Sequence, residues 1–539
     1  MARRAPEWTG TRASNEMNTV TALRAGVEPA ERNGFAGDIS APVSTMAEAV
    51  TPARMAPNLL VVSNRLPVSL ARNGNGGWEC KPSSGGLVTA LAPILRRTGG
   101  RWVGWPGTVE ESGVDEALSA AGERSGCQYN QVSLSGSELD QYYYGFCNEI
   151  IWPLFHELRS LCNFNRAHWN TYCSVNSKFA RVVAENSSDD DYIWVHDYHL
   201  LLMAKYLRGL GVQNRIGFFL HTPFPSPDII SHIPWCFKIT ESLLEYDLIG
   251  FQTIRDKNNF LRCAELMGGV VSLGEKGSSS VLITPERRIT AGVFPISIDF
   301  NDFSRNACEP EVTERVEQLR DENKYRKIAL GVDRLDYSKG IQLRLRAFKK
   351  ALEECPELRR RITLIQIVVP SRDDIPEYRR LKRDIEMTVE SINTRFGEPG
   401  WIPVKHLYSS VSRTELLALY RAADIALITP VKDGMNLVAK EYCAASVDGR
   451  GVLILSVFAG TAAQFRKNAL LVDPYDTRGM AAAIRKAYNM SQASAGVRMG
   501  RLRKSVQKRD IFWWADRFLR AANEHETPPV KAGQPAVSR

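Results

Sequence analysis

Short apolar runs recur along this chain, and stretches with helical periodicity separate them. Most of the runs hold five to seven residues and show no polar alternation. Runs of this kind between helices are typical of parallel strands that are buried on both faces of a sheet. The pattern therefore predicts an α/β fold. The predicted strands are 58–65, 192–197, 215–221, 247–253, 327–333, 363–369, 423–429, 451–456 and 469–473.

The predicted strands fall into two groups along the chain. Between the groups lies the polar, helical segment FNDFSRNACEPEVTERVEQLRDENK (300–324), which contains no strand-like run. We therefore predict two α/β domains, 57–310 and 311–500. The helical residues 501–523 are predicted to pack back on the N-terminal domain.

The composition is that of an ordinary globular protein. The 539 residues are 44% hydrophobic and 24% charged, which excludes collagen-like, wholly disordered and disulfide-scaffold classes. The ten cysteines are scattered and include no Cys-x-x-Cys pair, so zinc-ribbon and redox sites are not expected. No apolar run reaches the ~18 residues that span a bilayer, and no signal-peptide segment follows the basic start MARRAPEWTG. We expect a cytoplasmic protein without a membrane partner.

The net charge of +9 raises the question of a nucleic-acid partner, because basic proteins often bind polyanions. Residues 1–56 carry six arginines and six carboxylates, and residues 57–500 carry a net charge of only +4. The segment 1–56 and the tail 524–539 are polar and are predicted to be disordered. The basic excess lies in RLRKSVQKR (501–509), which we interpret as the solvated face of a helix. No nucleic-acid partner is therefore expected.

Ligands of open α/β sheets bind beyond the carboxyl ends of the strands, so the residues that follow each strand are the candidates. Arg65 ends the first strand, and SSGGL (83–87) then opens a helix whose free N–H groups suit an anion. A plain helix cap is the alternative for that segment. His196 and Asp197 end the second predicted strand, and His199 follows it. Contacts to a sugar or a phosphate are favoured there over a metal site.

Cationic residues also lie directly after the strands of the second group. Arg334 and Lys339 lie in a loop between a strand and a helix, where two cations and the helix dipole suit a diphosphate. Arg372 follows the next predicted strand. The sequence thus predicts an anion-binding surface on the second domain.

Three further side chains have both a functional and a structural interpretation. His221 ends the third predicted strand, and the proline-rich loop TPFPSP is expected to hold it at the rim of the site. Asp433 and Glu441 are eight residues apart, so both can face one crevice if Asp433 lies at the helix entry. The alternatives are a structural histidine, a helix cap for Asp433 and a surface ion pair for Glu441.

Several nucleotide-binding and catalytic motifs are missing from the sequence. It contains no G-x-G-x-x-G after a strand, no P-loop and no G-x-S-x-G elbow. Asp189 and Asp191 form an Asp-x-Asp pair that precedes a strand, and we interpret the pair as a solvated turn. A nucleotide bound through a metal is therefore not predicted.

Eight segments, in one consistent order, resemble the trehalose-6-phosphate synthase family, which is glycosyltransferase family 20. The segments are SNR with SSGGL (63–87), WVGWPG (102–107), YYYGF with IIWPLFH (142–156), IWVHDYHLL (193–201), GFFLHTPFP (217–225), LIGFQT (248–253), VDRLDYSKG (332–340) and KDGMNLVAKEY (432–442). The resemblance covers about residues 57–523. It implies a GT-B fold, in which two Rossmann-like domains face each other across a cleft.

The activity implied by this resemblance is the transfer of glucose from UDP-glucose to glucose 6-phosphate with retention of configuration. The products would be α,α-trehalose 6-phosphate and UDP. Domain 57–310 would bind the acceptor, and domain 311–500 would bind the nucleotide sugar. The family is thought to use front-face attack, with the leaving phosphate taking the acceptor proton, so neither a carboxylate nucleophile nor a metal cofactor is expected.

The resemblance also assigns roles residue by residue. The acceptor-binding residues would be Arg65, Trp105, Tyr143, Trp152, Asp197 and Arg372. The donor-binding residues would be Gly85, Gly86, Arg334, Lys339, Asp433, Gly434, Met435, Asn436, Leu437, Val438 and Glu441. The catalytic residues would be Asp197, His221, Arg334, Lys339 and Asp433. Among these, Arg334 and Lys339 would neutralise the diphosphate, and Glu441 would contact the ribose.

Two alternatives to this function remain open at the level of the sequence. A related transferase of the same fold could use another nucleotide-glucose, or another sugar or polyol phosphate as acceptor. A non-catalytic homologue could bind a sugar phosphate without turning it over. We also expect a homo-oligomer, either a dimer or a tetramer. Because the sequence has no D-x-D-x-[TV] phosphatase motif, the expected product keeps its phosphate.

Overall fold

The computed structural model describes residues 58–74, 77–82, 86–110, 112–276, 278–372 and 375–523. The predictions for the N-terminal extension and for the C-terminal tail, which begins at residue 524, lie outside these described residues.

Strands and helices alternate through most of the described chain. The strands are β1 (Leu59–Arg65), β2 (Val68–Arg72), β3 (Trp78–Pro82), β4 (Arg101–Trp105), β5 (Gln128–Gln131), β6 (Tyr192–His196), β7 (Ile216–Phe219), β8 (Leu248–Phe251), β9 (Val271–Lys276), β10 (Ser279–Ile283), β11 (Arg288–Val293), β12 (Lys327–Arg334), β13 (Ile362–Val369), β14 (Val404–Leu407), β15 (Ile425–Ile428), β16 (Val452–Ser456) and β17 (Leu470–Val472).

The helices vary from single turns to six turns. They are α1 (Gly86–Thr98), α2 (Val114–Ser125), α3 (Gly136–Glu138), α4 (Trp152–Phe155), α5 (Arg166–Asn186), α6 (Met203–Gly209), α7 (Pro227–Ile230), α8 (Cys236–Leu243), α9 (Ile254–Gly268), α10 (Phe300–Asn306), α11 (Pro310–Glu322), α12 (Ile341–Glu354), α13 (Pro376–Phe396), α14 (Arg413–Ala422), α15 (Leu437–Ala445), α16 (Ala462–Phe465), α17 (Thr477–Tyr488), α18 (Gln492–Lys508) and α19 (Ile511–Asn523). A π-helical segment, Leu139–Ile151, joins α3 to α4, and short 3₁₀ turns cover Arg159–Leu161, Tyr198–Leu200, Tyr337–Lys339 and Pro356–Leu358.

The first sheet has nine strands in the order β5-β4-β1-β6-β7-β8-β11-β10-β9. Its pairs from β5 to β11 are parallel, whereas β10 pairs antiparallel with both β11 and β9. From β1 the chain runs to β4 and β5, and it then returns to β6 on the other side of β1. The strand order therefore reverses between β1 and β6, which is where open α/β sheets bind ligands.

The second sheet has six parallel strands in the order β14-β13-β12-β15-β16-β17. Its strand order reverses between β12 and β15, so a ligand-binding switch point is expected there, as in the first sheet. The α/β class predicted from the sequence is confirmed by these two sheets. The predicted domain boundary at residue 310 falls at the first residue of α11.

Each of the nine predicted runs contains a strand, but other strands carry no such signal. The hairpin β2–β3 and the strands β4, β5, β9, β10, β11 and β14 were not among the predicted runs. Several of them are only half-buried, such as β10, in which buried and less buried positions alternate. A search for continuous apolar runs does not detect such strands.

The prediction of one helical element over 501–523 is wrong in detail, because two helices share this region. α18 ends at Lys508, and the carboxylate of Asp510 accepts a hydrogen bond from the backbone N–H of Trp513 at 3.0 Å. Such a bond caps a new helix and so separates α19 from α18. α19 packs on the first sheet, where the rings of Trp514 and Phe518 lie 5.0 and 4.6 Å from that of Trp194.

Two further sequence expectations concern the core and the membrane. All ten cysteines are free thiols, and Cys263 and Cys443 are fully buried as core residues. Among the described residues, no helix is both long and apolar enough to span a bilayer.

Candidate active site

The carboxyl ends of the two sheets meet at Gly434, in the loop after β15. A Cβ atom at this position would lie 2.4 Å from the backbone oxygen of His221, in the loop after β7. A Cβ atom at Gly460 would in turn lie 1.7 Å from the oxygen of Gly434. Such distances exclude any larger residue without a backbone shift. The close approach brings the loops of the first sheet against those of the second.

Arg65 ends β1 at the switch point of the first sheet, and its side chain is exposed. The guanidinium carbon lies 4.6 Å from the centre of the Trp105 ring, which comes from the neighbouring strand β4. Trp105 donates its indole N–H to the carbonyl of Thr108 at 2.8 Å, which fixes the ring. A cation is thus held over an aromatic face while its donors remain exposed.

The π-helical segment and α4 add aromatic side chains to the same region. Tyr143 stacks on His199, with ring centres 5.9 Å apart and an interplanar angle of 10°. Trp152 begins α4, and its buried indole N–H has no hydrogen-bond partner among the described residues. π-helical turns are rare and often occur at functional sites. The sequence offers no signal for this one.

Arg372 follows β13 of the second sheet and reaches the aromatic cluster of the first. It has a φ of 55°, and its guanidinium carbon lies 4.4 Å from the centre of the Trp152 ring. Its donors contact the hydroxyl of Tyr378 at 2.6 Å, the hydroxyl of Tyr198 at 3.4 Å and the carboxylate of Asp336 at 3.4 Å. Burial disfavours the charge, but these oxygens raise its pKa well above its usual range.

The ring of His199 lies near both arginines. Burial lowers its pKa to about 3, and the charges of Arg372 and Arg65 lower it further. The Nδ1 atom of His199 is buried and has no partner among the described residues. Two guanidinium groups and a neutral, unpartnered imidazole therefore meet at this switch point. The arrangement suits a small polar anion.

Asp197 follows β6 and has a φ of 74°, a conformation that is strained for a residue with a Cβ atom. Its carboxylate accepts a hydrogen bond from the backbone N–H of His221 at 3.2 Å. Burial raises the pKa of Asp197 to about 6, although backbone N–H groups and the charge of Arg372 oppose this shift. A carboxylate of this kind can accept a hydrogen bond from a sugar hydroxyl.

The expectation that His221 lies at the rim of the site is wrong, because the residue is only 2% exposed. Its Nε2 atom lies 3.1 Å from Nδ1 of His196, and its Nδ1 atom lies 3.5 Å from the amide nitrogen of Gln252. Burial lowers the pKa of His221 to about 3, so the ring is neutral. The backbone that follows lies against Gly434, in the loop after β15, and the histidine is not at an open rim.

Arg334 ends β12 at the switch point of the second sheet, where its side chain is exposed. The side chain makes no hydrogen bond or ion pair with the described residues. Lys339 lies in the 3₁₀ turn that follows, and its ammonium contacts the carboxylate of Asp433 at 2.6 Å. One cation is thus free for a ligand and the other is already paired.

Asp433 organises the loop between β15 and α15. Its carboxylate accepts the backbone N–H groups of Met435 and Asn436, both at 3.2 Å. Burial disfavours its charge, but the ammonium of Lys339 holds the pKa of Asp433 below its ordinary value. The alternative of a helix cap is wrong for Asp433, because the cap of α15 is Asn436, which has a φ of 54°.

The remaining predicted donor residues lie in or beside this loop. Gly434, Met435 and Asn436 belong to it, and Leu437 and Val438 open α15. Gly86 begins α1 of the first domain, and a Cβ atom there would lie 2.9 Å from the side chain of Leu437. The structure thus brings Gly86 to the loop, whereas Gly85 lies outside the described residues.

Glu441 lies one turn into α15 and accepts a hydrogen bond from the hydroxyl of Tyr420 at 2.8 Å. Burial raises its pKa above the ordinary value. The alternative of a surface ion pair is therefore wrong for Glu441. Because Asp433 precedes the helix cap, the two carboxylates are not related by helical spacing, contrary to the condition set from the sequence.

The interpretation of Asp189 and Asp191 as a solvated turn is wrong for Asp191, which is 3% exposed. Asp191 forms an ion pair with Arg101 and accepts the backbone N–H of Ser188 at 2.6 Å. Over the described residues, no group of three or more His, Cys, Asp and Glu side chains is arranged to hold a metal ion.

Comparison with known proteins places these features in a family. The model of glycosyltransferase family 20 matches residues 57–524. A trehalose-6-phosphate synthase of Mycolicibacterium gilvum is 40% identical over 474 residues, covering 87% of this chain and 94% of that protein. The enzyme of the same name from Mycobacterium tuberculosis is 40% identical over 472 residues, covering 86% and 94%.

Solved structures agree with this result. An α,α-trehalose-phosphate synthase (UDP-forming) from Burkholderia xenovorans, in complex with glucose-6-phosphate, has a TM-score of 0.78 at 33% identity, covering 86% of this chain and all of that one. A trehalose-6-phosphate protein from E. coli, bound with UDP-2-fluoro glucose, has a TM-score of 0.77 at 35% identity, covering 88% and 100%. The GT-B fold predicted from the sequence is thereby confirmed.

Proposed function

The chain belongs to glycosyltransferase family 20, and we propose that it transfers glucose from UDP-glucose to glucose 6-phosphate with retention of configuration, giving α,α-trehalose 6-phosphate and UDP. One observation carries this proposal: each switch point holds a pair of cations, Arg65 with Arg372 and Arg334 with Lys339. Two phosphorylated substrates that face each other need two such sites. The Burkholderia and E. coli neighbours, whose structures contain glucose-6-phosphate and UDP-2-fluoro glucose, support the same pair of ligands.

We assign the acceptor to the first switch point. Its phosphate would be bound by Arg65 and Arg372, which both lie near His199. Tyr143 and Trp152 would border the sugar, and Trp105 would hold Arg65 in place. The hydrogen bonds that hold the Arg372 side chain support this assignment, because a guanidinium that is already fixed loses little entropy when it binds a phosphate.

We assign the donor to the second switch point. Arg334 and Lys339 would contact the diphosphate, and Gly85 and Gly86 would cover it. The loop from Asp433 to Val438 would contact glucose through its backbone, and Glu441 would contact the ribose. The N-terminus of α15 supports this placement, because a helix N-terminus favours negative charge.

The reaction follows from where charge develops. Cleavage of the bond between glucose and phosphate leaves negative charge on UDP, and fixed cations near it lower the barrier. We propose that the leaving phosphate takes the proton of the attacking hydroxyl on the same face of the sugar. Asp197 and His221 would bind sugar hydroxyls beside this centre. No covalent intermediate is needed, in contrast to retaining glycosidases.

Three further points remain predictions. We expect turnover without a metal cofactor, because Arg334 and Lys339 can supply the positive charge that a metal would otherwise provide. A reducing, cytoplasmic location agrees with ten free thiols, and a dimer or tetramer is expected from the resemblance alone. Dialysis against EDTA before assay tests the first point, and sedimentation of the full chain tests the last.

A direct assay tests the proposed function. The full chain, incubated with UDP-glucose and glucose 6-phosphate, should release UDP in amounts equal to the trehalose 6-phosphate formed. Glycerol phosphate and free glucose are the matched control acceptors, and ADP-glucose and GDP-glucose are the control donors. Absence of UDP release with any acceptor contradicts the proposal, and a strong preference for glycerol phosphate assigns a different transferase.

The carboxyl group of Asp197 makes the reaction dependent on pH. Since its pKa is raised to about 6, the ionised form is lost as the pH falls through 6. We expect the ratio of kcat/KM between the parent and Asp197→Asn to fall by about tenfold per pH unit below 6, because the Asn side chain does not titrate. The substrate phosphate, whose second pKa is also about 6, titrates in the same way with both enzymes, so its effect cancels in the ratio.

The Asn variant is a close structural match. Its side-chain oxygen can still accept the backbone N–H of His221, as the carboxylate does at 3.2 Å. An unfolding free energy at neutral pH that is at least equal to that of the parent checks that the fold is kept, because the amide avoids the cost of burying a charge. A ratio that stays constant between pH 5 and pH 8 contradicts the role of the ionised carboxylate.

A further inference from the structure

Gln252 directly follows β8. Its side chain lies between His221 and the backbone of Ile296, which comes after β11. It is 3% exposed, and its side-chain oxygen accepts a hydrogen bond from the backbone N–H of Ile296 at 2.9 Å. A backbone N–H can only donate, so the oxygen of the amide must face Ile296 and the nitrogen must face away. That nitrogen lies 3.5 Å from Nδ1 of His221.

The direction of this amide sets the position of a proton on His221. Because the amide nitrogen carries only hydrogens, Nδ1 of His221 must present its lone pair, and the ring proton must lie on Nε2. Nε2 lies 3.1 Å from Nδ1 of His196, which therefore accepts this proton in a hydrogen bond. His196 then carries its own proton on Nε2, a buried atom with no hydrogen-bond partner among the described residues.

The amide is also connected to the donor helix. The ammonium of Lys440, a fully buried residue of α15, donates to the carbonyl of Ile296 at 2.6 Å. Ile296 is thus held at its N–H by Gln252 and at its carbonyl by Lys440. Lys440 directly precedes Glu441, so the element that would bind the nucleotide also fixes the peptide that orients Gln252.

We propose that Gln252 and His196 are positioning residues that hold His221 in a single tautomer, with Nδ1 as an unprotonated acceptor for a hydroxyl hydrogen of the bound sugar. The assignment of the tautomer stands on geometry alone, whereas its use for a sugar rests on the proposed function. The contact from Gln252 to Nδ1 is long, so a hydroxyl group can replace it. The opposite tautomer would present a donor to the same hydroxyl.

Nitrogen-15 NMR of histidine in the full chain, without substrate, tests the tautomer. His221 and His196 should both show a protonated Nε2 and an unprotonated Nδ1. His156 is the internal control with the reverse pattern, because its Nδ1 lies 2.7 Å from the carbonyl of Trp152 and must donate to it. Single histidine substitutions assign the signals. A proton on Nδ1 of His221 in the parent protein overturns the proposal.

The variant Gln252→Glu tests whether the amide of Gln252 sets the tautomer of His221. A carboxylate accepts from Ile296 and also presents an acceptor to His221, so the proton of His221 should move to Nδ1. Gln252→Met is the matched control, because it removes the amide without adding an acceptor, and it should give a mixture of tautomers. A Glu variant in which His221 keeps Nε2 protonated and Nδ1 free overturns the proposal.

Kinetics then connect the tautomer to the reaction. With UDP-glucose, we expect Gln252→Glu to lower kcat/KM by roughly ten- to a hundredfold, as for a site with one unmatched hydrogen-bonding group. The KM for glucose 6-phosphate should stay within about twofold, because Arg65 and Arg372, the proposed ligands of its phosphate, make no hydrogen bond with Gln252 or His221 among the described residues. Unchanged kcat/KM in a Glu variant whose tautomer is inverted overturns the role of Nδ1. If the parent has no activity with UDP-glucose, the proposed function fails while the NMR result still decides the tautomer.

Discussion

Arg334→Ala should lower kcat by roughly a hundredfold, equivalent to about 3 kcal/mol of activation free energy, which is the typical cost of losing one preorganised charge-stabilising group. Arg334 lies at the end of β12, and Lys339, in the turn that follows, is already paired with Asp433 at 2.6 Å. Arg334 is therefore the cation that can respond most to charge developing on the leaving diphosphate. Steady-state release of UDP measures the effect.

The same substitution should leave the fold unchanged. Arg334 is exposed and its side chain makes no hydrogen bond or ion pair with the described residues, so truncating it leaves no buried group unpaired. Arg346→Ala, at an exposed position of α12, is the matched control and should keep full activity. Arg334→Lys should recover part of the rate, since it restores the charge without the planar fork. Near-normal turnover of Arg334→Ala contradicts the assigned role.

The fold follows from the sequence because buried parallel strands carry their own signature. Segments such as LLVVS in β1 and ITLIQIVV in β13 are mostly apolar and are buried at successive positions, since both faces of each sheet are covered. Once these strands are known, their carboxyl ends predict where Arg65 and Arg334 lie. Strands with one exposed face, such as β10, lack this signature and were missed.

The sequence predicted the site residues that lie directly after a strand. It did not predict the contacts that these residues make with distant segments. Arg372 donates a hydrogen bond to Tyr198, which is 174 positions away in the sequence, and Tyr420 of α14 donates one to Glu441 of α15. Such contacts depend on how two sheets pack, and no local pattern encodes that geometry. The same reason explains why His221 was expected at a rim and lies buried.

A signal for some missed residues does exist. Gln252 lies at the end of a predicted strand and Asp336 lies close behind another, as the recognised candidates do. Their roles become visible only through partners, such as the hydroxyl of Tyr378, which lies 3.3 Å from the carboxylate of Asp336. A rule that treats every polar residue after a strand as a candidate would have included them, at the cost of many false positives.

Arg372→Met should destabilise the protein by about 3 kcal/mol, because it leaves the carboxylate of Asp336 buried without its cation. The side chains of Arg372 and Asp336 are only 6% and 2% exposed. Urea unfolding at neutral pH measures the loss. The same variant should raise the KM for glucose 6-phosphate by at least tenfold, since one of two proposed phosphate ligands is gone.

A double variant separates these two consequences. In Arg372→Met with Asp336→Asn, the buried charge is neutralised, and the Asn oxygen can still accept the backbone N–H of Ser338, as Asp336 does at 2.9 Å. We expect most of the lost unfolding free energy to return, while the KM for glucose 6-phosphate stays high. If the double variant also regains the parent KM, Arg372 acts on the acceptor through the fold alone. If neither variant changes that KM, the acceptor phosphate binds elsewhere.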